Sequence, residues 1–461
     1  MFLAEATHAA DGHHVLPGLF WVTPFAALLL CIAILPLLKK TTHWWHKNRN
    51  KLAVALVLGI VTLFYYQYRG FGFHGTEKGF STVLTILDHA VLHEYIPFMS
   101  LLFSLYVISG GICVKGDIPA RPSTNVIFLA IGGLLASLIG TTGAAMLLIR
   151  PLLKTNSERR HVVHTVVFFI IIVANVGGSL LPIGDPPLFL GYLMGVPFLW
   201  TLNLWRPWLF MLCVLLLIYW KWDSIAYKKE KLTDIRLDEI RVKKISVTGK
   251  INFLFLAGVV FATGTLDPGK EFLGTGWTPF MFCRELVQNT FVALSLLLTA
   301  KRIREDNNFN YVAILEVACL FIGIFVCMQV PIEILNIKGP SLGINTPAKF
   351  FWATGILSSF LDNAPTYVVF FETAKSLPIA EGVETLTLMG GGHIQLNHLI
   401  AISIGAVFMG ANTYIGNGPN FMVKSIAEHE GVKMPSFFGY MLFSACVLLP
   451  ILAIVTFIFV V

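Results

Sequence analysis

Apolar runs of membrane-spanning length follow one another along almost the whole chain. A bilayer crossing needs about 20 predominantly apolar residues. Only 13% of the 461 residues are charged, against roughly 25% in an average soluble domain. The chain is therefore predicted to be a polytopic membrane protein, and a water-soluble fold is excluded. The clearest predicted spans are Leu16–Leu38, Leu52–Tyr68, Ile96–Val114, Leu204–Trp222, Ile251–Leu266, Glu285–Ala300, Tyr311–Val330 and Phe437–Val461.

Two further apolar regions, Asn125–Phe198 and Lys349–Val432, are interrupted by Gly, Pro, Asn and Thr. Irregular backbone cannot face lipid, because no water is present there to bind its polar groups. The interruptions are therefore expected to be buried in protein or to line a water-filled cavity, and they mark the region in which a function would lie.

Basic residues cluster in the short loops, and the positive-inside rule places these loops in the cytoplasm. One path of the chain through the membrane places every basic loop in the cytoplasm if residues 125–153 form a re-entrant hairpin. Both ends of that segment are basic, so a single crossing could not place both on that side. Residues 162–198 then cross as a broken helix, residues 349–375 form a second hairpin, and residues 399–423 form a second broken helix. The N-terminus is predicted to lie outside. The basic clusters are Lys39–Lys51, Lys115–Arg121, Arg150–Arg160, Trp222–Lys250, Lys301–Arg304 and Lys424–Lys433.

The order span, span, hairpin, broken helix, span thus occurs twice with opposite orientation, as in the inverted-topology repeats of secondary transporters. The predicted fold is an all-α polytopic membrane protein with two re-entrant hairpins and two broken helices. Residues 1–51 would hold an N-terminal tail, the first span and a basic loop. Residues 52–222 would form the first repeat, 223–250 a charged cytoplasmic linker, and 251–461 the second repeat with a preceding span.

Polar clusters stand at the middle of both hairpins and both broken helices. The hairpin tips read SLIGTTGAAML and SSFLDNAPTYVV, and the breaks read ANVGGSLLPIGDPPLFL and GANTYIGNGPNFMV. A helix broken inside the membrane presents free carbonyls on one side and free N–H groups on the other, so the gap can bind a cation, an anion or both. The four interruptions together predict one central site.

Asp185 and Asp362 are the strongest candidates for functional residues, because a carboxylate at membrane depth costs several kcal/mol unless it is paired, protonated or coordinated. A structural role is the alternative: Asp362 would cap the second arm of its hairpin near Ala364, and Asp185 would brace its turn. Neutral oxygen ligands, each of which could instead satisfy broken-helix backbone, are Asn175, Asn363, Asn412, Asn417, Asn420, Thr141, Thr142, Thr366 and Thr413.

Glu316 also lies within an apolar run, where it could pair with Arg284 on the preceding span. Such a pair would brace the scaffold or relay protons.

The sequence carries no element of an ATP-driven pump or of an enzyme. No GxxxxGK[ST] loop and no nucleophile–base constellation is evident within the spans. Transport is therefore expected to draw on an ion gradient, with Na⁺ (or Li⁺) and H⁺ as transported or coupling ions and no other cofactor. The seven cysteines include no CxxC motif and are interpreted as free thiols. A channel or a receptor is disfavoured, because symmetry-related interruptions suit alternating access.

The stretch NVGGSLLPIGDPP at Asn175–Pro187 and LDNAP at Leu361–Pro365 resemble the ion transporter superfamily. That group includes NhaD-type sodium/proton antiporters, arsenite carriers and citrate- or dicarboxylate-transporting relatives. With GTTGA at Gly140–Ala144, the chain is similar to sodium:proton antiporters that carry a citrate-transporter-like domain. The resemblance covers nearly the whole chain and implies a scaffold region, a mobile region with the hairpins and broken helices, and a homodimer.

The resemblance also implies a sodium site. It assigns cation-site roles to Asn175 and Asp185 in the first break, Asp362 and Asn363 in the second tip, and Asn412 and Asn417 in the second break. The chain departs from the family pattern at Gly140–Thr141, where relatives commonly carry Asp-Asn, and at Leu181 and Leu188, where they often carry Thr and Asn. One tip carboxylate remains instead of two.

The leading functional hypothesis is sodium (or lithium)/proton antiport. Burial favours the neutral form of a carboxylate and a bound cation favours the ionised form, so H⁺ and Na⁺ would compete for one group. Asp362 is the first choice for that group, with Asp185 as ligand or partner. The expected location is the bacterial inner membrane, with the lipid bilayer, a small cation or a carboxylate as partners and no nucleic acid.

The alternative is sodium-coupled uptake of citrate or a dicarboxylate. The hairpin tips would then hold the substrate through Thr and Asn side chains and helix N-termini. No Arg lies deep in a tip to pair with a polyanion, which lowers this alternative.

Overall fold

The computed structural model describes residues 16–38, 40–73, 76–379 and 382–461. It is 71% helical. The predicted N-terminal tail, residues 1–15, lies outside the described residues. The helices are α1 Thr23–Ile34, α2 Thr42–Trp45, α3 Asn48–Tyr68, α4 Phe80–Leu87, α5 Ile96–Ser109, α6 Pro122–Ile139, α7 Thr141–Thr155, α8 Val163–Ile172, α9 Pro186–Leu193, α10 Trp205–Tyr227, α11 Leu232–Ile240, α12 Ile251–Thr265, α13 Cys283–Leu298, α14 Lys301–Asp306, α15 Val312–Cys327, α16 Gln329–Lys338, α17 Pro347–Phe360, α18 Asn363–Lys375, α19 Leu396–Met409, α20 Gly418–His429 and α21 Phe437–Val455.

Several helices are long and apolar enough to cross a bilayer. Within the described part of the chain, five pass on length and composition, and the α15–α16 pair, bent by 42°, adds a sixth if it is counted as one span. The predicted span at Ile96–Val114 is the second half of a longer helix, because a π-helical turn joins α4 to α5. The five are Asn48–Tyr68, Phe80–Ser109, Pro122–Ile139, Phe198–Tyr227 and Phe437–Val460.

The expectation of an all-α fold is corrected by two small antiparallel sheets. Strand β1 (Cys113–Asp117) pairs with β2 (Lys243–Thr248), and β3 (Thr385–Thr387) pairs with β4 (His393–Gln395). Strand β2 and α11 both lie inside the segment expected to be a charged linker. Backbone hydrogen bonds to β1 therefore tie this linker to the first half of the chain.

Helices α6 and α7 form a hairpin whose tip is Gly140. This residue has φ +80°, a backbone conformation that glycine adopts without steric cost. At the opposite end, Asn125 and Asn156 exchange two side-chain hydrogen bonds of 2.9 Å each. The beginning of α6 and the end of α7 therefore lie side by side. Helices α17 and α18 also pack against each other and are joined only by Leu361 and Asp362.

Two interrupted helices lie at the centre of the fold. Short 3₁₀ turns at Val176–Ser179 and Pro182–Gly184 separate α8 from α9, and a turn at Gly410–Asn412 stands between α19 and α20. Every residue of α8 after Val163 is buried, and α19 is almost as deeply buried. The large exposed apolar side chains lie on outer helices such as α3, α10 and α13. The interruptions are therefore shielded by surrounding helices, as irregular backbone at membrane depth requires.

The predicted Glu316–Arg284 pair is not formed. The carboxylate of Glu316 lies 2.6 Å from Lys51 Nζ, which joins α15 to α3. Arg284 instead pairs with its neighbour Glu285 at 2.6 Å, and Tyr192 accepts a further bond from it. Helices α3 and α15 pack along their length, so the partner of Glu316 is set by a helix that is distant in the sequence.

Candidate functional site

Asp185 is the centre of a hydrogen-bonded group that joins four separate segments. Its Oδ1 accepts bonds from Thr141 Oγ1 at 2.9 Å and from Asn417 Nδ2 at 3.0 Å. Its Oδ2 accepts a bond of 2.7 Å from Asn363 Nδ2. The residue is only 1% exposed. All three donors were predicted site residues, and they come from the first tip, the second break and the second tip.

Local sequence explains why the Asp185 side chain is available to distant donors. Asp185 is the N-cap residue of α9, where a side chain usually accepts a bond from the second or third helical N–H. The next two residues, Pro186 and Pro187, have no N–H, and Leu188 N bonds to the Asp185 backbone carbonyl. The side chain makes no capping bond, so its oxygens turn to other elements.

Four helix N-termini meet at this carboxylate. Thr141 and Asn363 are the first residues of α7 and α18, and Asn417 and Asp185 are the N-cap residues of α20 and α9. Each helix N-terminus carries a partial positive charge equivalent to about half an elementary charge. The arrangement therefore stabilises negative charge, whether on Asp185 or on a bound anion.

Amide side chains connect the two interruptions directly. Asn175 Nδ2 donates to Asn420 Oδ1 at 2.7 Å, and Asn417 Nδ2 lies 3.3 Å from Asn175 Oδ1. Asn420 also donates to the carbonyls of Gly410 and Thr413. These amides hold the unwound backbone of both breaks together, which is the structural role that the sequence left open for them.

Two amide oxygens near the second tip are buried and have no hydrogen-bond partner within the described part of the chain. They are Oδ1 of Asn363 and Oδ1 of Asn412. The nitrogen of each is occupied: Asn363 Nδ2 by Asp185 and Asn412 Nδ2 by Ser359 Oγ at 2.9 Å. A buried acceptor without a partner costs about 1–3 kcal/mol, and an amide oxygen is a ligand suited to a hard cation.

Asp362 is the N-cap residue of α18. Its Oδ1 accepts the N–H of Ala364 at 3.1 Å, and its backbone carbonyl accepts the hydroxyl of Thr366 at 3.0 Å. This is the capping role considered as the alternative for Asp362. The residue is partly exposed, unlike Asp185. The carboxylate at the centre of the hydrogen-bonded group is therefore Asp185.

The remaining predicted residues lie at the edge of this group. Thr413 Oγ1 donates to the carbonyl of Ser359 at 2.5 Å and accepts the N–H of Gly416, so it shapes the second break. Thr142 follows Thr141 at the first tip and is partly exposed. Neither hydroxyl is hydrogen-bonded to the Asp185 carboxylate, whose donors are Thr141, Asn363 and Asn417.

Two serines that support the site were not predicted. Ser137 Oγ donates to the carbonyl of Gly177, and Ser359 Oγ donates to the carbonyl of Met409, each linking a hairpin arm to a break. Each stands four residues before a residue bonded to Asp185, namely Thr141 and Asn363. Alignment of the two tips would have revealed this repeated spacing.

One family model, described as "Putative citrate transport", matches residues 14–460, nearly the whole chain. No curated protein matches the sequence significantly.

Proposed function

Since the chain belongs to the family described as putative citrate transport, we propose that it is a cation-coupled transporter in which Na⁺ and H⁺ compete for Asp185. The family and the span-length helices together identify an integral membrane secondary transporter of the citrate-transporter-like type. The proposal concerns the ions, the exchanging group and the mode of coupling.

The hydrogen bonds of Asp185 carry the proposal. An ionised carboxylate only accepts hydrogen bonds, and here it accepts three from donors on three other segments. Protonation converts one acceptor oxygen into a donor, so at least one of these bonds must change. Protonation of Asp185, or cation binding to it, would therefore change hydrogen bonds that involve both hairpins and both interrupted helices.

The unpartnered amide oxygens supply a place for a cation beside this carboxylate. Asn363 bonds to Asp185 through its nitrogen, and Asn412 lies in the second break. The side-chain oxygen of each has no hydrogen-bond partner among the described residues. A Na⁺ ion would be held by these neutral oxygens together with a carboxylate oxygen. Asp362, at the tip next to Asn363, would serve as the second carboxylate ligand. The hypothesis drawn from the sequence instead made Asp362 the exchanging group and Asp185 its ligand or partner.

Exchange follows from competition. A buried, unoccupied carboxylate is unfavourable at membrane depth, whereas a bound Na⁺ or H⁺ removes the charge. If only the occupied forms pass between the two membrane faces, each Na⁺ that moves in one direction is matched by H⁺ in the other. Sodium/proton antiport is therefore the function that this geometry supports best.

The test is proton movement in proteoliposomes with an acid-loaded lumen and an internal pH dye. Addition of Na⁺ or Li⁺ should make the lumen more alkaline, and K⁺ should not. Asp185→Asn should abolish the response, because the amide cannot exchange a proton. Asp306→Asn is the matched control, since Asp306 forms a peripheral pair with Lys115 and should leave the response intact. A full response in Asp185→Asn would refute the assigned role of Asp185.

Cation-coupled uptake of a citrate-like carboxylate is the second candidate. The family description favours it, and so does the N-terminus of α7, which has no side-chain cap among the described residues and is therefore open to a carboxylate. Labelled citrate accumulating in the same vesicles under an inward Na⁺ gradient, without Na⁺-driven proton efflux, would assign this function instead.

A further inference from the structure

Three carboxylates form an acidic cluster outside the site around Asp185. They belong to Asp117, Glu158 and Asp238, and one oxygen from each lies within 4.8 Å of the others. Asp117 is the last residue of β1, Glu158 lies in the loop after α7, and Asp238 lies in α11. The cluster therefore joins three segments on the face that carries the basic loops.

The cluster is shielded from solvent. Asp117 and Asp238 are each 5% exposed, and the Glu158 side chain is 8% exposed. Burial and the neighbouring charge of Glu158 raise the pKa of Asp117. Burial likewise raises the pKa of Asp238, against the opposing effect of a backbone hydrogen bond from Ala120. Like charges that are buried close together are unfavourable unless a positive charge compensates them.

Lys154, Lys243 and Arg241 oppose the negative charge around Asp117, and the buried Arg159 does so at Asp238. Arg159 already pairs with Asp223. Lys154 Nζ lies 3.9 Å from Asp117, and Arg241 Nη1 lies 3.4 Å from Glu158. Both of these basic side chains are more than half exposed, at 59% and 64%. Contacts of this length between mobile, solvated heads contribute little.

Asp238 provides a second, independent observation that points to a ligand. Its Oδ2 accepts the backbone N–H of Ala120 at 2.8 Å. Its Oδ1 is buried and has no hydrogen-bond partner among the residues that the structure describes. An unpartnered carboxylate oxygen costs more than a neutral acceptor, and this one belongs to the carboxyl group that closes the cluster.

We propose that Asp117, Glu158 and Asp238 bind one hard divalent cation. Carboxylate oxygens without nitrogen or sulfur ligands suit Mg²⁺, Ca²⁺ or Mn²⁺ rather than zinc or copper. Glu158 also lines a polar cavity of about 520 Å³ whose other walls include the basic residues Lys154, Arg159, Arg160 and Arg241. Water would complete the coordination shell of the ion.

The ion would fasten the first hairpin to the central linker. Glu158 follows α7, whose first residue is Thr141, and Asp238 lies in the linker helix α11. The neighbouring Arg159 pairs with Asp223 at the end of α10. A cation that holds Glu158 against Asp238 would restrict movement of α7, so divalent ions on this face would regulate how freely the hairpin moves.

The test is Mn²⁺ binding to the purified full-length protein, measured by electron paramagnetic resonance after treatment with a chelator. We expect one saturable site per chain from which Ca²⁺ or Mg²⁺ displaces Mn²⁺. Asp238→Asn should weaken binding by roughly tenfold to a hundredfold. Glu239→Gln is the matched control, because this neighbour is exposed and pairs with Arg121 instead. It should bind Mn²⁺ like the wild type.

Two outcomes would overturn the proposal: the absence of saturable binding in the wild type, or equal Mn²⁺ affinity in Asp238→Asn and Glu239→Gln. If Asp238→Asn does not give a monodisperse protein, Glu158→Gln answers the same question, because Glu158 lies at the open side of the cluster. Since binding is measured without transport, the result is independent of the function proposed for Asp185.

Discussion

Gly416 lies where the second interrupted helix packs closely against helix α17 of the second hairpin. A Cβ atom on this residue would lie 2.5 Å from the carbonyl oxygen of Gly410 and 2.7 Å from that of Ser358. Both neighbours are backbone atoms, so no flexible side chain can yield. Gly416→Ala must therefore displace backbone on both sides of the break.

The size of the effect follows from these distances. Ordinary van der Waals contact begins at 3.4 Å, so the two carbonyls would have to retreat by about 0.9 Å (3.4 minus 2.5) and 0.7 Å (3.4 minus 2.7). Overpacking of this kind typically costs about 1–3 kcal/mol. The hairpin would also be pushed away from the break, so we expect exchange activity to fall together with stability.

The assay is thermal unfolding of the purified protein, followed by the fluorescence of its ten tryptophans, together with transport in proteoliposomes. We expect Gly416→Ala to lower the apparent Tm by a few degrees. Gly418→Ala is the matched control, because a Cβ atom there meets nothing within 4 Å. Equal melting and equal transport in the two variants would refute the claim that close backbone packing at Gly416 shapes the site.

Three further predictions follow from other contacts. Thr141→Val removes one of three hydrogen bonds to the central carboxylate and should raise the Na⁺ concentration for half-maximal exchange roughly tenfold, the equivalent of about 1.4 kcal/mol; unchanged Na⁺ dependence would contradict this role. Glu316→Gln leaves the buried amine of Lys51 without its ion pair and should lower stability by about 1–3 kcal/mol, and a second change, Lys51→Met, should restore part of the loss in thermal melts. In a single-cysteine scan of sealed vesicles, Arg121→Cys and Lys154→Cys should react from the same side, because α6 begins where α7 ends; labelling from opposite sides would rule out the hairpin.

The interruptions of the fold could be predicted because their causes are local. Glycine, proline and asparagine act on backbone conformation over a few residues, so the tip at Gly140 and the break before Asp185 were visible in the sequence. The match to a transporter family along nearly the whole chain supports a transporter of the citrate-transporter-like type. Membrane orientation and the inverted repeat remain predictions.

Which side chains meet was decided by tertiary packing. The sequence identified Asp185 and Asp362 as candidates and favoured Asp362 as the exchanging group. Only the packing of α7, α18 and α20 around α9 brings three donors to Asp185 and leaves Asp362 with a capping bond. The pairing of Glu316 with Lys51 has the same origin.

The sequence by itself determined that the chain is membrane-embedded, where its helices break, and which residue types stand at the breaks. Hydropathy and local backbone preference are properties of short segments and need no knowledge of the rest of the chain. Tertiary structure alone decided that Asp185 is the centre, that β2 ties the linker to β1, and that Asp117, Glu158 and Asp238 converge. Each of these contacts joins residues that are distant in sequence, and such contacts form only when whole helices pack together.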